Sequence, residues 1–474
     1  MNKVLDFLGQ QNSFELISHE GYLFSQRVEK LYSYLLRYIA EFEKYPAIVL
    51  AEREPVQFLA TFTAACAANC PVFLCNPDWG TQEWYQVFHL IQPDIICGTP
   101  SSPLLPPLPP SPPPFFPHSQ LPIPHSPKIM IPTGGSSGKI KFAVHTWDTL
   151  MASVYGFTQY FQLQEVNSFC VLPLYHVSGL MQFMRSFTTG GKLVVIPFKE
   201  LLTGDKENIK PEDFFISLVP TQLQGLLQNC DSINWLRKFK TVLLGGAPAW
   251  EELFEKVRYY EIRLAPTYGM TETASQIATL KPDDFLKGKA NSGQVLPHAQ
   301  VIIRNDAGEI INANQIGNIT IKANSLTLGY YKDTHEKTQE EDYLQVDDLG
   351  FIDTEGYLNI VGRNSDKIIT GGENVYPIEV EAAIRTTEMV KDVCVIGIPD
   401  KYWGQAVTAI YIPQYIAQNF CTVEIEKLLK NKLSKFKIPK HWIPMENLPR
   451  NSQGKINRQQ LQEIATNFLE INLV

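Results

Sequence analysis

From about residue 46 onward the chain alternates short apolar, β-branched runs with longer stretches whose apolar residues recur at helical spacing. Runs of the first kind suit strands buried in a parallel sheet, and runs of the second suit helices laying one apolar face on it. The pattern predicts strands over Ala47–Leu50, Val72–Cys75 and Asp94–Cys97, separated by helices over Val56–Ala68 and Gln82–Leu90. Successive units of this kind build a wound α/β sheet. The rhythm returns at Lys192–Ile196, Phe214–Val219, Val242–Leu244 and Ile262–Ala265, with helices expected over Gln222–Gln228 and Ala249–Tyr259. The stretch from Val166 to Met184 holds no Lys, Arg, Asp or Glu, but Pro173, His176 and Gly179 interrupt it. It therefore reads as a buried loop and strand, and not as a membrane span.

After about residue 290 the pattern changes to hairpins, with Val301–Arg304, the turn residues Asn305 to Gly308, and Glu309–Ile311 expected as strand, turn and strand. Beyond Arg363 a helix over Ile378–Thr386, strands over Val393–Ile398 and Val407–Ile412 and a helix over Val423–Leu433 are expected. The block 363–474 is long enough for its own core. The expected organisation is thus a large N-terminal α/β domain, 1–362, containing a β-rich subdomain, followed by a small α+β domain, 363–474. Residues 100–127 are so dense in proline that neither helix nor sheet can run through them, and they read as a surface insertion.

Composition adds exclusions. A formal net charge of -8 argues against a nucleic-acid partner, whose phosphates call for clustered Lys and Arg. The opening residues MNKVLDFLGQQNSFEL lack a basic flank followed by a sustained apolar run, so no signal segment is expected there, and no transmembrane segment is expected later. Eight scattered cysteines suit reduced thiols and a cytoplasmic location. Cys66, Cys70 and Cys75 lie close together but lack the paired spacing of a zinc site, so small buried side chains are the better reading.

Thr133-Gly134-Gly135-Ser136-Ser137-Gly138-Lys139-Ile140-Lys141 is the most informative stretch. Its glycines expose backbone N–H groups while its hydroxyls and lysines add donors, which is what phosphate oxygens require. It is not a Walker A loop, because Thr133 stands at the first glycine position and Ile140 follows Gly138-Lys139. Four more segments follow in order: Gly245-Gly246-Ala247-Pro248, Tyr268-Gly269-Met270-Thr271-Glu272, Asp347-Asp348-Leu349-Gly350 with Gly362-Arg363, and Pro449-Arg450 leading to Gly454-Lys455.

Together these segments resemble the adenylate-forming superfamily of acyl-CoA synthetases, adenylation domains and luciferases. The resemblance runs from the phosphate loop to Arg458. It implies ATP and Mg2+, with coenzyme A as co-substrate and a small carboxylic acid as the partner that is activated. Thr133, Gly135, Ser136, Ser137 and Gly138 would hold phosphate, as would Lys141 and Thr271, with Glu272 on the metal. Gly246, Ala247, Pro248, Tyr268 and Gly269 would line adenine, and Asp348 and Arg363 would reach the ribose. Lys455 would serve adenylation, Gly371 and Gly372 would admit the pantetheine arm, and Ser365 stands where the family usually has a charged hinge residue.

Pro173-Leu174-Tyr175-His176-Val177-Ser178-Gly179-Leu180 matches the family's acyl-pocket segment, which implicates His176 and Ser178. Arg185 follows it, a pattern similar to that of o-succinylbenzoate–CoA ligases of menaquinone and phylloquinone synthesis. A substrate with two carboxylates would let one react while a fixed cation holds the other. The alternatives at this stage are Arg185 on a helix surface paired with an acid, another acyl-CoA synthetase, or an adenylation module that loads a carrier protein.

Overall fold

The computed structural model describes residues 4, 14–18, 20–98, 126–134, 139–203, 209–332, 343–414, 422–450 and 456–472. The proline-dense insertion at 100–127 lies almost wholly outside them. The architecture is α/β, as the pattern predicts. One five-stranded sheet has the order Ile95–Cys97, Ile48–Leu50, Val72–Leu74, Lys128–Gly134, Ile140–Thr146, parallel except for the last pair. An eight-stranded sheet runs Glu15–Ile17, Lys192–Val195, Asn167–Cys170, Phe214–Leu218, Thr241–Leu244, Leu264–Met270, Ser275–Thr279, Gln294–Val295, with only the last two strands antiparallel to their neighbours.

Between these sheets lies a core built by the helices Phe24–Phe42, Pro55–Ala67, Trp147–Phe161 and Val177–Thr189. Phe14, Phe24 and Phe62 each meet Phe183 edge to face, and Phe187 stacks on Phe183, geometries that add to their hydrophobic burial. Cys66 and Cys70 are buried in this core and Cys75 in a second apolar cluster with Phe73, Trp84 and Phe142, and desolvation pushes all three thiols up.

Two expectations need correction. The stretch Val166–Met184, expected as loop and strand, does hold the strand Asn167–Cys170, but from Val177 it runs into the helix Val177–Thr189. Gly179 suggested a break, but a Cβ there would meet the Pro173 carbonyl oxygen at 2.2 Å, so the glycine serves close approach at the helix start. The second correction concerns Glu309–Ile311, which forms only a single bridge to Arg304. The Asn305 side chain accepts from the amides of Ala307 and Glu309 and closes the turn on itself. The strand Ala299–Arg304 pairs instead with Gly317–Ala323, where Gly317 lets the backbones approach. These strands, with Leu344–Ile352 and Leu358–Arg363, form a four-stranded antiparallel sheet.

The last sheet comprises Glu373–Val375, Ile368–Thr370, Gly404–Pro413, Val390–Asp400 and His441–Pro444. Its two apolar clusters draw only on residues from Ile368 onward, packed under the helices Pro377–Arg385 and Arg458–Asn472. Among the described residues no helix is long and apolar enough to cross a membrane.

Candidate active site

Thr133 and Lys141 lie on paired strands. Lys128–Gly134 pairs antiparallel with Ile140–Thr146 in a register that sets Thr133 opposite Lys141. Gly135, Ser136, Ser137 and Gly138 lie outside the described residues. Lys141 Nζ stands 5.0 Å from the centre of the Tyr330 ring, and the Tyr330 hydroxyl donates to Glu272 Oε1 at 2.6 Å. Backbone bonds from Leu328 and Tyr331 to the carbonyls of Val144 and Phe142 tie the segment around Tyr330 to the second of these strands. Thr327 N–H donates to the Glu272 carbonyl at 2.8 Å.

A second brace comes from His145, fully buried four residues after Lys141. Its Nε2 donates to the Thr271 carbonyl at 2.8 Å, and its Nδ1 lies 3.0 Å from Thr149 Oγ1. Neither His145 nor Tyr330, the latter followed directly by Tyr331, belongs to any of the motifs quoted above. Just beyond, Ala274 and Ser275 both take positive φ, 50° and 91°. Two such non-glycine residues in succession are costly and concentrate at functional sites. Glu272 presents hard oxygen donors beside Lys141, the donor type magnesium selects while riding on substrate phosphates.

Tyr268 lies two residues before the end of the strand Leu264–Met270, towards the edge where wound sheets place their ligands. Its hydroxyl donates to Asp348 Oδ2 at 2.7 Å, and Arg363 Nε lies 3.5 Å from Asp348 Oδ1. Burial first and the Asp348 carboxylate second hold the phenol well above its ordinary pKa. Three residues placed at the nucleoside by resemblance are thus brought together by a single carboxylate. Gly269 sits at a register shift, and a Cβ there would strike the Ser275 carbonyl oxygen at 2.1 Å. Gly246, Ala247 and Pro248 are exposed after the parallel neighbour Thr241–Leu244, and Gly246 takes φ 80°.

On the acyl side, His176 caps the N-terminal end of the helix Val177–Thr189, its ring against Tyr175, while Ser178 is exposed in the first turn. Arg185, two turns on, is only 3% exposed. Its guanidinium lies 4.2 Å from the centre of the Phe157 ring, and its Nη2 is 3.3 Å from both Ser275 Oγ and Gln276 Oε1. Neither contact is a carboxylate, and its Nε has no hydrogen-bond partner among the described residues. Burial pulls its pKa down to about 9, so it remains a cation at neutral pH. The expected alternative of a surface arginine paired with an acid does not hold.

Gly371 and Gly372, with φ of 58° and 84°, form the two-residue turn between Ile368–Thr370 and Glu373–Val375. Successive positive φ angles are what such a hairpin demands, so both glycines have a backbone reason to be there. Gly371 N–H donates to the Trp403 carbonyl at 2.8 Å. Ser365 is tied to Asp347, with its N–H 3.1 Å from Oδ1 and its hydroxyl donating to Oδ2. Lys455 lies outside the described residues; Arg450 and Ile456, on either side of the segment that holds it, form an antiparallel bridge.

Residues 24–331 match the AMP-binding enzyme family, and residues 379–455 match the AMP-binding enzyme C-terminal domain. The chain belongs to the AMP-binding enzyme family. Its chemistry is that of the adenylate-forming, ATP-dependent acid–CoA ligases. A 2-succinylbenzoate–CoA ligase of Listeria monocytogenes is 36% identical over 336 residues, covering 70% of this chain and 68% of the relative. One from Geobacillus is 33% identical over 344 residues, 71% and 68% of the two chains. Among solved structures, the o-succinylbenzoate CoA synthetase of Bacillus subtilis with its acyl-adenylate superposes with a TM-score of 0.79, covering 97% of this chain and 98% of that one at 22% identity. ATP-bound MatB of Rhodopseudomonas palustris gives 0.80 at 20% identity, with 98% of each chain covered. The AMP-binding fold is thus shared among differently named enzymes and does not by itself choose the acid.

Proposed function

We propose that this AMP-binding enzyme is an o-succinylbenzoate–CoA ligase of menaquinone or phylloquinone biosynthesis, forming AMP and pyrophosphate. The observation that carries the substrate assignment is Arg185, a buried cation that meets Phe157, Ser275 and Gln276 and no carboxylate among the described residues. Such a charge is costly in the empty protein and is balanced when an anionic group arrives. A dicarboxylate brings one carboxylate to react and a second to meet Arg185. The names of the relatives support the same reading.

In the first half-reaction a carboxylate oxygen attacks the α-phosphorus of ATP, the bond to pyrophosphate breaks, and an acyl-adenylate forms. Lys141 and Lys455, with the amides of the loop 135–138, stabilise charge that grows on the phosphate oxygens. Thr271, fixed by His145, presents its hydroxyl to the same group. Glu272 would hold magnesium, which neutralises phosphate charge when bound. Asp348 exchanges the Tyr268 hydroxyl for the ribose, with Arg363 beside it. In the second half-reaction the CoA thiolate attacks the acyl carbon and AMP leaves. The boundary between 1–362 and 363–474 is the pivot, Ser365 rotates, and the Gly371-Gly372 turn approaches the pantetheine arm.

The test is ATP–pyrophosphate exchange across a panel of acids. o-Succinylbenzoate should exceed benzoate, 4-oxo-4-phenylbutyrate, malonate and medium-chain fatty acids by at least ten-fold in kcat/KM. A fatty acid or malonate at the head of the panel would overturn the substrate assignment and leave the adenylating chemistry standing.

A further inference from the structure

His298 lies in the turn Leu296–Ala299, between the edge strand Gln294–Val295 and the antiparallel sheet. Both of its ring nitrogens are buried, and neither has a hydrogen-bond partner among the described residues. Buried polar atoms are nearly always bonded, so an orphaned ring calls for an explanation. The ring is not there by default of space. It fills the position that a Cβ on Gly156 would occupy, at 1.8 Å from Nδ1 and 2.6 Å from Cγ. Gly156 lies inside the helix Trp147–Phe161, where glycine is a poor choice for helix stability. The helix thus gives up a side chain where the imidazole is seated.

The next residue of that helix is Phe157, whose ring carries the Arg185 guanidinium. His298 feels that cation directly: burial first, and Arg185 second, pull its pKa down to about 4, so the ring is neutral at physiological pH. A neutral imidazole keeps one N–H donor and adds no second charge. Gln276, which contacts Arg185 through Oε1, turns its amide nitrogen to Thr279 Oγ1 at 2.8 Å and is occupied. Arg185 Nε and the His298 N–H are therefore two unsatisfied donors in one buried neighbourhood.

We propose that His298 is a specificity-determining residue whose ring N–H donates to the distal, ring-borne carboxylate of the acyl substrate while Arg185 supplies the opposing charge. The inference rests on the o-succinylbenzoate reading and deepens it. A carboxylate has two oxygens and several lone pairs, so one cation and one neutral donor at its edge fix direction as well as charge.

The experiment measures kcat and KM for adenylation of o-succinylbenzoate and of 4-oxo-4-phenylbutyrate, which lacks the ring carboxylate, in the full-length parent, His298→Ala and His298→Gln. His298→Ala is expected to lose at least ten-fold more kcat/KM toward o-succinylbenzoate than toward the control acid, mainly through KM. His298→Gln, which retains an N–H donor, should recover much of that loss. If the parent adenylates o-succinylbenzoate and His298→Ala matches it, or loses both acids equally, the role of His298 is wrong and the substrate reading survives. If the parent does not adenylate o-succinylbenzoate at all, the substrate reading falls and this inference falls with it.

Discussion

Arg185→Met is expected to reduce kcat/KM toward o-succinylbenzoate by a factor of roughly one hundred to a few thousand while barely changing the KM for ATP. The magnitude follows from burial. Breaking a desolvated charge pair on one side costs about 3–5 kcal/mol, and each 1.4 kcal/mol is about ten-fold in affinity. An exposed pair would cost roughly 0–1 kcal/mol, but Arg185 is only 3% exposed. Stability should move the other way. The unliganded parent holds this cation against Phe157, Ser275 and Gln276 with no acid among those contacts, so an apolar side chain of similar length should leave Tm unchanged or raise it. Steady-state kinetics with both acids and a thermal melt without ligand check the two halves. A surface role for Arg185 would show as loss of less than about ten-fold; a purely structural role would show as a lowered Tm with both acids affected alike.

Lys455→Ala should reduce adenylate formation by about 100-fold or more, the scale on which removing a donor to a developing oxyanion acts. Supplied acyl-adenylate should still react with CoA at close to the parent rate, because the lysine is proposed to leave the site when the domain beyond Ser365 rotates. Rapid-quench measurement of each half-reaction separates the two. Equal loss in both would mean that Lys455 does not act in one step only, or that its loss unfolds the C-terminal domain.

The sequence carried the wound α/β core well, because strands such as Val72–Leu74 and helices such as Pro55–Ala67 are apolar almost throughout and bounded by turn residues. It failed where a glycine had a packing reason instead of a breaking one. Gly179 hid the start of the very helix that carries Arg185, since the closeness of the Pro173 carbonyl is a tertiary fact. Glu309–Ile311 followed turn residues as a second hairpin strand would, yet Asn305 turned its side chain onto the local amides and left the pairing to a later segment. The nucleotide side was legible as motifs, and the fold draws Tyr268, Asp348 and Arg363 onto one carboxylate. His145, Tyr330 and His298 were not legible, because each acts through a contact with residues far away in the chain. Ser365 departs from a charged hinge, and its tie to Asp347 is again a contact no local pattern announces.

The most direct test of the account is to incubate the full-length protein with o-succinylbenzoate, ATP, magnesium and CoA and to identify the products by mass spectrometry. The account predicts o-succinylbenzoyl-CoA, AMP and pyrophosphate in equal amounts, with no thioester when ATP is omitted. Formation of ADP and phosphate in place of AMP and pyrophosphate, or the absence of any o-succinylbenzoyl thioester while another acid yields one, would contradict it.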